Sequence, residues 1–286
     1  MTAIPSPFRK LHSAGFFPAA LLAGLIGATS TGTAHTGNPN HNHVQMDYRT
    51  GAATGDYSPP QPDEEGFFWW KGNLHTHTLW SDGDAYPEII VDWYKENGYH
   101  FLTLSDHNTL SVGERWIAPA TNRHAQRAGG LEGFALYLDR FGEDWVETRE
   151  ENGELRVRLK PLNEFRFLFE EPGRFLMMQA EEITAFVHVN ATNLIEFIPP
   201  PTTETARETI ESSVAAVMEQ RERTGQLMFP HLNHPNWRWR VTAEDMAPVE
   251  DLRFFEVYNG HRNSRNYGDE IHKSLERMWD IVLTLR

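Results

Sequence analysis

Five apolar runs in this chain each finish on a residue able to bind a metal ion. They are 71–77, ending His75-Thr76-His77; 99–107, ending Asp106-His107; 175–182, ending Glu181-Glu182; 226–234, ending on His231 and His234; and 253–256, ending on Glu256. Short apolar runs bounded by polar turn residues read as buried strands of a parallel sheet. The loops at the C-terminal edge of such a sheet form a single face. That arrangement delivers all of these side chains to one pocket, so the expected class is α/β with a barrel-like sheet.

The chain has 286 residues, enough for one α/β domain of about 200 to 250 residues after any leader is set aside. A formal net charge of −14 opposes nucleic acid or an anionic membrane surface as the main partner, because both would repel it. A small anionic substrate remains compatible if bound cations reverse the sign locally. There is no cysteine, which excludes disulfides, thiolate zinc sites, iron–sulfur clusters and cysteine nucleophiles.

Residues 1–34 read as an export signal: Arg9, Lys10 and His12 form a basic start, 14–28 is apolar, and small residues follow to Ala34. The expected location is periplasmic or secreted. The apolar stretch is too short to span a bilayer comfortably, so no integral membrane segment is expected once the leader is removed. Residues 35–65 are rich in Gly, Asn, Thr, Pro and Asp and read as a flexible linker, leaving 66–286 as the folded domain.

From residue 66 strands alternate with helices. Asp84-Ala85-Tyr86-Pro87 reads as a helix start, and Gly98 sits where that helix should stop. A second helix is expected over 205–224, with Thr205 and Glu208 as a capping box and Gly225 as terminator. A further strand candidate covers 188–198. Residues 111–174 interrupt the rhythm by more than one crossover helix needs, and within them 145–159 alternates apolar and polar residues around Asn152-Gly153, a hairpin signal. This insertion is expected either as a lid or specificity cap over the active face or as a solvent-facing decoration.

Two imidazoles at the spacing of His75 and His77 can share one cation. Ser81-Asp82-Gly83 follows closely, and Ser105-Asp106-His107 ends the next strand. Together with Leu74-His75-Thr76-His77-Thr78, Glu181-Glu182-Ile183-Thr184, His188-Val189-Asn190 and Asn233-His234-Pro235, these form an ordered set that resembles the motifs of the PHP (polymerase and histidinol phosphatase) family. The resemblance runs from about residue 70 to the end, omitting the insertion. It implies a distorted (β/α)7 barrel with a centre of two or three divalent ions that hydrolyses phosphoesters through a hydroxide held between metals.

Carried over residue by residue, the resemblance implies that His75 and His77 hold one metal. Glu182 then bridges to a second metal bound also by His188 and His234, and Asp82 with His107 begins a third site. Mixed imidazole and carboxylate ligands suit Zn, Mn or Fe. Asp82, His107 and Glu182 are the candidate catalytic residues, with Asp82 or His107 as proton donor to the leaving alkoxide. Arg238, Arg240 and Arg262, just after two strand ends, are candidates to grip the phosphate of a small phosphorylated substrate. His231 reads equally as a supporting partner or a core residue, Asp106 as structural, and Glu256 either as part of a polar ring at the barrel mouth or as an ion-pair partner. The family's late Asp-x-His is missing from this sequence, which points to a barrel lacking its last strand or strands. Two other readings stay open: a secreted metal-containing binding protein without catalysis, and a metal-dependent amide or carboxyl-ester hydrolase.

Overall fold

A computed structural model describes residues 59–286. The stretch expected as an export signal, 1–34, and nearly all of the expected linker, 35–65, lie outside the described residues. Among those described, six strands form one mixed sheet: β1 (Gly72–Asn73), β2 (Phe101–Leu104), β6 (Leu176–Thr184), β7 (His188–Thr192), β8 (Phe229–Leu232) and β9 (Phe254–Phe255), in that order across the sheet. The sheet curls but stays open, with β1 and β9 as its edges, so it is a half-barrel and not a closed ring of seven strands.

The expectation of an all-parallel sheet is corrected at one strand. β1, β2 and β6 pair in parallel, as do β8 and β9, but β7 runs antiparallel to both β6 and β8. The link between β6 and β7 is only Ala185–Val187 long, too short for the crossover that parallel neighbours need. The reversal has a functional consequence: His188 begins β7 at the rim where β6 ends, and Thr184 pairs with His188. β7 also stops at Thr192, short of the expected 198, where Asn193 turns the chain with φ 66°. Regular pairing in β1 covers just two residues, although Ser105 N–H donating to Thr76 O keeps the following stretch beside β2.

The helices form where the capping chemistry lies. α1 (Pro87–Glu96) starts after Tyr86 in the extended conformation that a following proline imposes. It packs with α4 (Leu162–Phe169) on β2 and β6 through Ile90, Val91, Tyr94, Leu102, Phe165 and Met177. α5 (Ala206–Thr224) carries the Thr205/Glu208 capping box and ends at Gly225, whose φ of 72° no β-carbon would tolerate cheaply. With α6 (Ala243–Met246) and α7 (Leu275–Leu285) it closes a second core against β7 and β8 around Val189, Ile210, Leu232 and Leu275.

The insertion has its own three-stranded antiparallel sheet, β3 (Arg115–Ile117), β5 (Glu154–Leu159) and β4 (Thr148–Glu151). The expected hairpin is β4–β5, turning at Asn152 and Gly153 with φ of 54° and 75°. α2 (Arg123–Arg127) and α3 (Leu131–Phe141) complete it. Its core continues into Leu79, Trp80 and Tyr86, the loop between β1 and α1 that also carries Asp82. Among the described residues no helix is long and apolar enough to cross a membrane.

Candidate metal centre

Glu182 is fully buried, and five imidazoles reach its two oxygens. Oε1 lies 3.3 Å from His75 Nε2, 3.1 Å from His188 Nδ1 and 3.3 Å from His234 Nε2; Oε2 lies 3.2 Å from His77 Nε2 and 2.6 Å from His107 Nδ1. The rings themselves close a circuit around the carboxylate. Successive centroids are 5.1 Å apart for His75–His77, 4.3 Å for His77–His107, 5.5 Å for His107–His188, 5.0 Å for His188–His234 and 5.7 Å for His234–His75. Asp82 stands outside this ring, 3.0 Å from His77 Nδ1 and 3.6 Å from His107 Nε2.

All seven sequence-selected metal candidates therefore meet at the rim. Their donor atoms fall into three groups, each mutually within 4.8 Å: His75, Glu182 and His234; His107, Glu182 and His188; and His77, Asp82 and His107. The partition differs from the family-based one, because His75 groups with His234 and His77 with Asp82. Glu182 belongs to two groups and His107 to two, so the three groups share residues.

Two observations fit this donor set to cations. His77 Nε2 and Glu182 Oε2 are both buried without an aligned hydrogen bond, although they approach each other and His107 closely. Buried polar atoms are ordinarily satisfied, so two unsatisfied ones 3.2 Å apart ask for a partner. Electrostatics gives the second. Burial would raise Glu182, yet the pull of His75 and His188 and the close approach of His107 hold its carboxyl well below the usual carboxylate range. Burial would likewise lower His75 and His77, but Glu256 and Glu182 carry His75 well above the ordinary imidazole range, and the bond to Asp82 and the nearby Glu182 carboxylate hold His77 at about 9. The chain thus assembles a site that demands positive charge around one acid, which divalent ions supply as well as protons do.

Supporting groups orient the ring. Glu256 Oε1 is 2.7 Å from His75 Nδ1, while its Oε2 accepts the His234 backbone N–H at 2.7 Å and Asn259 Nδ2 at 2.8 Å. This is the polar ring at the mouth, the first of the two roles open to Glu256. Its carboxyl, raised by burial but pulled down more strongly by His75, sits at about 2. Asn233 Nδ2 donates to Glu182 Oε1 at 2.7 Å and to Asn190 Oδ1 at 2.8 Å, and Asn190 Nδ2 in turn donates to Leu74 O across the sheet. Neither asparagine was singled out from sequence as a site residue; both lie within quoted motifs, which is the signal that was there. Asp106 accepts from Thr78 N–H, Thr78 Oγ1 and Ser81 Oγ at 2.6 to 2.8 Å, the structural role expected of it.

His234 has φ 25° and Asn108, next to His107, has φ 45°. Non-glycine residues rarely adopt such values, and they persist where surrounding bonds over-determine them. Glu256 fixes the first; the second is clamped by Asn108 N–H to Glu182 O and by paired side-chain bonds to Thr184.

The three candidate arginines are placed unequally. Arg240 lines a small cleft with His188 and His234, but its Nη1 donates to Phe186 O at 2.6 Å and its guanidinium stacks on the Phe186 ring. Arg238 and Arg262 are exposed and bond to none of the seven rim residues. No protein-family model matches this sequence, and no curated protein matches it.

Proposed function

We propose that this chain is a metal-dependent hydrolase of the PHP type, acting on phosphoester bonds of a small molecule. The observation that carries the reading is the closed ring of five imidazoles on one buried carboxylate, drawn from motifs as far apart as His75 and His234. The groups His75/Glu182/His234, His107/Glu182/His188 and His77/Asp82/His107 would hold two or three ions of the Zn, Mn or Fe kind. Bound there, such ions supply a water acidified towards neutrality and neutralise charge on phosphoryl oxygens.

The chain's own residues account for the rest. Glu256 holds His75 by Nδ1 and so presents Nε2 inward, fixing the tautomer a ligand needs. Asp82 is the most exposed acid of the rim, at the side away from Glu256, and its bond to His77 leaves it able to pass a proton to a departing alkoxide. Asn233 and Asn190 hold Glu182 against rotation.

The test is metal analysis of the purified full chain followed by assay with an aryl phosphate, an aryl acetate and an anilide. Stoichiometric transition metal with turnover of the phosphate alone is expected. Metal without turnover of any of the three leaves a binding protein, and turnover confined to carboxyl substrates changes the bond cleaved.

A further inference from the structure

The insertion carries seven arginines along 115–158, and they divide into two kinds. Arg140, Arg149, Arg156 and Arg158 each have a carboxylate within 3.1 Å. Arg115, Arg123 and Arg127 have no ion pair among the described residues, in a protein whose net charge is −14. Acids are abundant in this chain, so three cations without an ion pair among the described residues, close together in sequence and fold, call for an explanation.

Their position supplies one. Ala125 of α2 is buried in the same core as Leu79 and Trp80, immediately before Ser81-Asp82. The Arg115 guanidinium lies over the Trp80 ring, 5.7 Å from its centroid, and Trp80 is pinned by its Nε1–H donating to Lys160 O. Arg123 and Arg127 are four apart on α2 and so share a face. Between them His124 turns a buried Nδ1 with no hydrogen-bond partner among the described residues. Burial lowers His124, the attraction of Asp82 works against that, and the repulsion of Arg123, Arg127 and Arg115 adds to it.

The geometry points to an anion subsite formed by Arg115, Arg123, His124 and Arg127, set beside the Asp82 edge of the rim, that receives a second, non-reacting phosphate or carboxylate of the substrate. Guanidinium groups recognise such oxyanions by paired N–H donors, and a neutral imidazole adds one more polar contact. The preferred substrate is then a small phosphoester bearing another anionic group, and the insertion acts in selection. The identity of this substrate rests on the hydrolase reading; the anion binding itself does not.

The experiment is calorimetric titration of the full chain with inorganic phosphate, as purified and after dialysis against a chelator, with circular dichroism to check that the fold is kept. Saturable binding that persists after chelation is expected, weakened about tenfold or more in Arg123→Glu/Arg127→Glu, at one exposed and one half-buried position, and in Arg115→Ala. Arg223→Ala, at an exposed residue of α5 paired with Glu196, serves as control and leaves binding as it was. In turnover, KM for an aryl phosphate carrying a second phosphate or a carboxylate rises about tenfold in the same variants, and the larger rise tells which group is preferred. Phosphate binding that is absent after chelation, or equal in wild type and variants, overturns the subsite. Loss of turnover with any substrate overturns the hydrolase reading instead, while the titration still decides the subsite.

Discussion

Glu181 and Glu182 are adjacent on β6, equally buried, and in opposite states. Glu181 faces outward with Ile183, under the 193–198 segment, where one backbone donor, the N–H of Ile198, reaches it at 2.6 Å; burial pushes its carboxyl up to about 8. Glu182 faces the curled interior, where imidazoles surround it and hold it well below the carboxylate range. Burial alone does not decide whether an acid is charged; the partners its face of the strand provides do. One face makes a neutral acid for packing, the other an anion able to gather cations.

The sharpest way to break that comparison is to exchange the charge on each face. Glu182→Gln removes the anion shared by two donor groups, and metal content of the purified chain, read by plasma mass spectrometry, is expected to fall far below stoichiometric. His75 and His77, no longer held up by that anion, lose their protons more readily, so circular dichroism stays close to wild type. Glu181→Gln, made at a residue already protonated near neutrality, leaves metal content unchanged and costs under about 1 kcal/mol in urea melts. Equal metal loss from both variants would erase the distinction between the faces.

A smaller effect is expected from Glu256→Gln. The carboxylate behind His75 raises the basicity of that ring, so its loss weakens metal affinity by about 10- to 100-fold while the fold is kept. Competition with a chromophoric chelator reads this directly, and unaltered affinity would make Glu256 a spacer.

The metal-free protein should also respond to pH in a defined direction. His77 sits at about 9, above its ordinary 6.5, so its contribution is whole below 6.5 and is lost as pH rises through about 9. Glu256, at about 2 against an ordinary 4.5, contributes above 4.5 and loses that contribution as pH falls through about 2. The thermal midpoint of chelated protein is expected to drop from pH 6.5 to 9, and added metal, which replaces the protons, abolishes the drop. A midpoint flat over that range without metal contradicts the placing of His77. Smallest of all, Gly153→Ala at φ 75° should cost about 1 kcal/mol with no effect on metal, since the turn lies in the insertion.

What could be read before the structure divides along physical lines. α1 and α5 were legible because proline, capping box and terminal glycine are local signals that act within a few residues. The β4–β5 hairpin was legible for the same reason, through Asn152-Gly153. The antiparallel course of β7 was not, although the three-residue link before His188 excludes a crossover and would have revealed it. The seven rim residues were legible as an ordered set of motifs, but their partition into groups depends on how far the sheet curls, a long-range property. Arg115, Arg123 and Arg127 escaped notice because nothing local distinguishes an arginine with a carboxylate partner from one without.

The central claim is that His75, His77, Asp82, His107, Glu182, His188 and His234 hold divalent ions in common. Anomalous scattering from crystals of the full chain grown with Zn or Mn tests it most directly. The account predicts two or three peaks inside the ring, with imidazole nitrogens at about 2.0 to 2.2 Å and a Glu182 oxygen shared between ions. Strong peaks elsewhere on the protein, with the ring holding none, would contradict it.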